Sequence, residues 1–193
     1  QKDKGDIPQN LSDMLSMFNK KAQVNWKKVV KNLTGSKKVG KRLTVMRPSR
    51  RFPNRKQIKG VTKDRKFTIV VCVDISGSQS TNEILTGLNE IHSICKLTHT
   101  TMKLIQIDAA VHSIEEFSEK TKLFERKGCG GTIMEAGVQY IFKNKIEHDL
   151  IIYISDMEIE NIREWDKQPK CRTIWLSTTG IIPEWNGWNG HMV

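Results

Sequence analysis

The run Phe67-Thr68-Ile69-Val70-Val71-Cys72-Val73-Asp74-Ile75-Ser76-Gly77-Ser78 decides how this chain folds. From Phe67 to Val73 it is almost continuously apolar, which predicts a short strand buried on both faces, since a strand wetted on one face would alternate. The run ends on an acid, so Asp74 is placed at the carboxyl edge of a central strand. Gly77 lets the chain turn tightly, and the hydroxyls of Ser76 and Ser78 can then point the same way as the carboxylate. Ser80-Thr81-Asn82-Glu83 follows as a capping box and predicts a helix directly behind the loop.

Downstream, Ile84, Leu88, Ile91 and Cys95 mark the buried stripe of that helix. Met102 to Ile107 reads as a strand, and Asp108-Ala109-Ala110 turns it into a second, Val111 to Phe117, antiparallel because the connection is so short. Glycines 128, 130 and 131 lead into a helix expected to begin at Thr132, with Met134, Val138 and Ile141 on its inner face. Leu150 to Ile154 and Thr173 to Leu176 complete the strands. Alternating strands and helices predict an α/β fold: a three-layer, Rossmann-like open sheet, mostly parallel with one antiparallel strand, and helices on both faces. Its binding crevice lies at the carboxyl ends of the strands. Gly130-Gly131-Thr132 and Ser155-Asp156 map to the same edge as Asp74.

The hydroxyls of Ser76, Ser78 and Thr132 and the carboxylates of Asp74 and Asp156 form a hard, oxygen-only donor set. It suits octahedral Mg2+ or Mn2+ with water in the remaining positions. Asp108 and Glu158 are accessory candidates, and Glu160 is a further acid nearby. D-x-S-x-S, then a threonine, then an aspartate resembles the metal-ion-dependent adhesion site of von Willebrand factor A (VWA) domains, over roughly Phe67 to Trp175. The resemblance implies that Ser76, Ser78 and Thr132 bind the ion directly or through water, and that Asp74 and Asp156 act largely through water. Met157 stands where that family has glycine.

Four features outside the metal motifs resemble one branch of that superfamily: Val24-Asn25-Trp26, Arg47-Pro48-Ser49-Arg50-Arg51, Ile107-Asp108-Ala109 and the Gly131-Thr132 to Asp156 spacing. The branch is the VWA-like C-terminal domain of bacterial and phage metallopeptidase-type proteins of unknown function. There an upstream domain carries H-E-x-x-H, and the genes often adjoin one for a MoxR-type AAA+ ATPase. The resemblance implies such an ATPase as partner. No peptidase residue is carried over, because the matching segment is not in this chain.

The remaining sequence divides by charge. Residues 1–66 carry a net +16 and residues 67–193 a net −5, so a basic leader precedes a mildly acidic body. In the leader, Leu11, Met14, Leu15 and Phe18, and again Trp26, Val29, Val30 and Leu33, fall at helical spacing. Gly35 to Lys66, rich in Lys, Arg, Gly and Pro, reads as an extended arm. The tail from Pro183 to Gly190 is expected to cap a sheet edge with its tryptophans. Gln1 in place of an initiator methionine suggests a processed product or the C-terminal portion of a longer one.

Composition excludes several classes. No stretch is long and apolar enough for a transmembrane helix and no secretory signal is visible. Cys72, Cys95, Cys129 and Cys171 show no C-x-x-C spacing and read as reduced thiols, which points to the cytoplasm. The histidines lack ligand spacing, so a zinc hydrolase is not expected.

Three functions are weighed. A cation keeping an open position for an Asp or Glu of a partner protein makes a binding module rather than an enzyme, because no histidine or lysine adjoins the motifs to act as base. A phosphatase of the haloacid dehalogenase type needs D-x-D, and Ser76 occupies the second acid's position. Nucleic acid, or an acidic partner, could be met by Arg47, Arg50 and Arg51 of the leader.

Overall fold

The computed structural model describes residues 25–26, 28–29, 40–55, 57–64, 68–121, 124–169, 171–181 and 190–192. The chain divides into two compact units, one of Gln1–Lys27 with Thr68–Val193 and one of Lys28–Phe67.

The smaller unit holds β1 (Gly40–Pro48) and β2 (Lys59–Asp64), an antiparallel pair with Leu43 opposite Val61 and an irregularity between Thr44 and Pro48. This corrects the expectation of an extended arm: residues 40–64 turn back on themselves as a hairpin. Leu43, Val45, Met46 and Val61 are exposed on it, as are Arg47, Arg50 and Arg51.

The larger unit is built on a six-stranded sheet. Its strands are β3 (Ile69–Asp74), β4 (Met102–Ile107), β5 (Val111–Phe117), β6 (Leu150–Ser155), β7 (Arg172–Ser177) and β8 (Gly190–Met192). Their spatial order is β5-β4-β3-β6-β7-β8, and every pairing is parallel except β4 with β5. All six residues of β3 and all six of β6 are buried, as continuous apolar runs at the middle of a covered sheet must be.

Helices cover both faces. α1 (Thr81–Thr98) begins with the expected capping box, Ser80 accepting from the Glu83 amide while the Glu83 carboxylate accepts from the Ser80 amide. It lies so close to β6 that a Cβ on Gly87 would stand 2.6 Å from Ile154 Cγ2, so the tight helix-to-strand approach requires glycine there. α2 (Glu135–Lys143) packs Val138 and Ile141 on the opposite face, among Cys72, Ile107, Tyr153, Trp165 and Trp175. The indole of Trp26, buried and helical, donates at 2.5 Å to the buried carboxylate of Glu90 on α1.

Two expectations change. α2 starts at Glu135 rather than Thr132: Thr132 stays in the loop, and the Glu135 amide is capped by the remote Glu160 carboxylate rather than by a side chain at Met134. The strand set does not end at Leu176, since β8 adds a parallel strand beyond β7. Cys72 and Cys95 are buried thiols, but Cys129 is exposed. The leader helix around Leu11 to Phe18 and the tail from Pro183 to Asn189 lie outside the described residues. Among the described residues no helix is long and apolar enough to cross a membrane.

Candidate functional site

Parallel pairing brings the ends of β3, β4 and β6 to one rim, with Asp74 level with Ile107 and with Val73 beside Ile154. The carboxylate of Asp74 is therefore held where three loops leave the sheet, and it is fully buried. Its Oδ1 accepts from the Ser76 amide at 2.9 Å, which sets the turn, and its Oδ2 accepts from the Ser155 hydroxyl at 3.0 Å. The hydroxyls of Ser76 and Ser78 lie 3.0 Å apart. Ser76 is buried and Ser78 exposed, so the pair runs from the interior to the surface.

Asp156, buried next to the end of β6, comes to the same point through Ser155, whose hydroxyl is 3.4 Å from Asp156 Oδ1 and 3.0 Å from Asp74 Oδ2. One hydroxyl proton thus stands between two carboxylates. Among the described residues neither acid is in a salt bridge. Burial pushes the Asp74 carboxyl above its ordinary pKa, the bonds from Ser76 and Ser155 pull it down, and the charge of Asp156 adds to the rise. Ser155 was not among the predicted ligands, although its place one residue before Asp156 was the available signal.

The loop after β6 is strained. Met157 has φ 72°, the left-handed region, at the position where a glycine was the expected family pattern, and its side chain is buried in the core under α2. Its amide donates to Ser155 Oγ at 3.0 Å, and the amide of Glu158 donates to Asp156 Oδ1 at 3.0 Å. Glu158 itself is exposed. Glu160 instead caps α2: its Oε1 accepts from the Glu135 amide at 2.7 Å.

The Gly128–Thr132 stretch reaches the site through backbone bonds. Gly77 donates to the Gly130 carbonyl at 3.0 Å, joining this loop to the Asp74 loop. Asp108 closes its own turn by accepting from Ala110 at 3.0 Å, and it also reaches across to accept from the Gly130 amide at 3.2 Å. Its carbonyl accepts from Ile133, and His112 sits 2.6 Å from its Oδ1. Bonds from Ala110, His112 and Gly130 bring the Asp108 carboxyl below its ordinary pKa against the opposing effect of desolvation, which is the largest single influence. Thr132, half-buried, is two residues beyond Gly130.

Arg126 was missed altogether. Its guanidinium donates to the carbonyls of Ile75, Ser76, Gln79 and Gly128, so one side chain binds both loops.

The structure thus joins Asp74, Ser76, Ser78 and Asp156 in one hydrogen-bonded cluster and ties the Thr132 loop to it. Arg47, Arg50 and Arg51 belong to the other unit. Among the described residues no three His, Cys, Asp or Glu side chains gather as a metal cluster. A cation here would draw on hydroxyls. The residues fit one: two buried acids compensated by a shared hydroxyl are the chemistry that a hard divalent ion completes.

No curated protein matches the chain significantly. A family described as "VWA-like domain (DUF2201)" matches residues 69–187, from the first residue of β3 to beyond β7.

Proposed function

Because the chain belongs to the VWA-like domain family, a fold that suggests a protein-interaction module, we propose that its strand-end cluster is a divalent-cation-dependent docking site for an acidic side chain of a partner protein. Ser76, Ser78 and Thr132 supply hydroxyl oxygens, and Asp74 and Asp156 supply the negative charge. A bound Mg2+ or Mn2+ contributes an open coordination position that a carboxylate oxygen can fill. The protein's own part is to hold the two acids side by side at the strand ends and to present Ser78 at the surface.

The observation that carries this reading is the Asp74–Ser155–Asp156 arrangement, two buried carboxylates sharing one hydroxyl with no salt bridge among the described residues. Such a pair is costly unless a cation joins it. The reading is non-catalytic. The Ser76 hydroxyl faces the Ser78 hydroxyl and the Asp74 carboxylate that this reading assigns to the ion, and His112 is engaged with Asp108. We place this module in the C-terminal part of a longer metallopeptidase-type protein, with a MoxR-type AAA+ ATPase as the first partner to test.

Calorimetric titration with that ATPase in Mg2+ and in EDTA tests the reading. Binding in Mg2+ that vanishes in EDTA and with Asp74→Ala is expected, and equal binding under all three conditions refutes metal bridging. A second reading has its own support in the hairpin, where Arg47, Arg50 and Arg51 are exposed and Arg55 lies 5.6 Å over the Phe52 ring. If the hairpin binds nucleic acid, affinity falls steeply with salt, and a flat salt response removes it.

A further inference from the structure

We propose that Arg126 is a positioning residue for the cation: its guanidinium locks the Asp74 loop to the Gly128 loop and so sets the affinity for the ion. The inference rests on the cation reading above and goes beyond it, because Arg126 offers no oxygen and touches no ion.

The bonds are specific. Nε donates to the Ile75 carbonyl at 3.2 Å and to the Gly128 carbonyl at 3.0 Å. Nη1 donates to Gln79 at 3.0 Å, and Nη2 to Ile75 at 2.8 Å, to Ser76 at 2.5 Å and to the Cys129 sulfur at 3.6 Å. Ile75, Ser76 and Gln79 bracket the two serines, while Gly128 and Cys129 lead toward Thr132. The planar fork of arginine satisfies acceptors on both sides at once, which the single ammonium of lysine does not.

Arg126 is itself framed. The buried amide of Gln106, on β4, donates to the Glu125 carbonyl at 2.9 Å and accepts from the Lys127 amide at 3.0 Å. The backbone on either side of Arg126 is thereby pinned to the central sheet, and the side chain is aimed at the loops. Apart from Arg126, the direct hydrogen bond that joins the Asp74 loop to the Gly128–Thr132 loop among the described residues is Gly77 to Gly130 at 3.0 Å. Mg2+ demands near-ideal octahedral geometry, so hydroxyls on two separate loops must be held in register. A guanidinium also repels a cation, and on this proposal holding the two loops in register outweighs that repulsion.

The test titrates MgCl2 alone into the full chain and into Arg126→Lys and Arg126→Ala by calorimetry. Loss of groups that orient metal ligands costs about 10–100-fold in affinity, and both variants are expected in that range. Guanidinium at low concentration should restore part of the affinity of Arg126→Ala, and methylammonium should not. Arg126→Lys keeps the charge, so it reads the effect even where the alanine variant fails to fold. Affinity equal to or tighter than wild type overturns the proposal, as does a loss in Arg126→Ala that guanidinium leaves untouched. A wild-type chain that takes up no Mg2+ overturns the cation reading and this one with it, whereas wild-type binding with unaffected variants overturns this one alone.

Discussion

Replacing Asp74 by Asn should change stability in opposite directions with and without Mg2+. The substitution keeps the shape: the amide carbonyl can still accept from the Ser76 amide, and the amide nitrogen can face Ser155 Oγ, which then turns its proton toward Asp156 Oδ1, 3.4 Å away. What is removed is one of two buried negative charges. Burial raises the pKa of Asp74 in the folded state, so its protonated form is the stabilised one. That contribution is fully present below the unfolded pKa of about 4 and is lost as pH rises through the raised folded value. At pH 7 in EDTA, wild type carries the penalty and Asp74→Asn does not, so the variant should melt higher, and its pH profile should be flatter on the acid side. In Mg2+ the order reverses. An ion bound only by the folded form, at about 100 times its dissociation constant, adds about 2.7 kcal/mol, which for a chain of this size is about 5–11 °C in melting temperature. Wild type should gain that increment and Asp74→Asn should not. Thermal unfolding followed by circular dichroism in the two buffers gives all four values. An equal Mg2+ increment in both proteins, or a lower midpoint for the variant in EDTA, would refute the reasoning.

Other substitutions test the frame around the site. Met157→Gly relieves a left-handed backbone worth about 1–2 kcal/mol but forfeits a buried side chain worth about 2–5 kcal/mol, so a net loss is expected in urea denaturation. Gly128→Ala would place a Cβ 2.7 Å from Asp108 Oδ2 and 2.9 Å from Ile75 Cδ1; a cost of about 1–3 kcal/mol in urea midpoint, with weakened Mg2+ uptake, should follow. Trp26→Phe takes the indole donor from the buried Glu90 carboxylate and should lower stability by about 1.5–3 kcal/mol in the same assay.

These tests fall unevenly on what could be read in the letters. The central strand was legible because complete burial leaves no polar position between Ile69 and Val73, and the start of α1 was legible because both halves of its cap lie within four residues. The antiparallel β4–β5 pair followed from the shortness of its turn. Where the determinant is remote or is main chain, the letters fall silent. The start of α2 was misplaced because its amide is capped by Glu160, 25 residues away, and Met134 gives no local signal. The β1–β2 hairpin was overlooked because lysines and arginines flank its few apolar residues closely on both strands, and Leu43, Val45, Met46 and Val61 are exposed rather than buried. Arg126 shows the limit most clearly. Its partners are carbonyl oxygens of Ile75, Ser76, Gln79 and Gly128, and a carbonyl carries no residue identity. On the proposed cation reading, motif letters name the atoms that would meet an ion, whereas the geometry of that meeting would depend on a side chain whose requirement is to reach two backbones at once. Substitutions at the motif should therefore abolish cation binding, while substitutions at Arg126 should grade it.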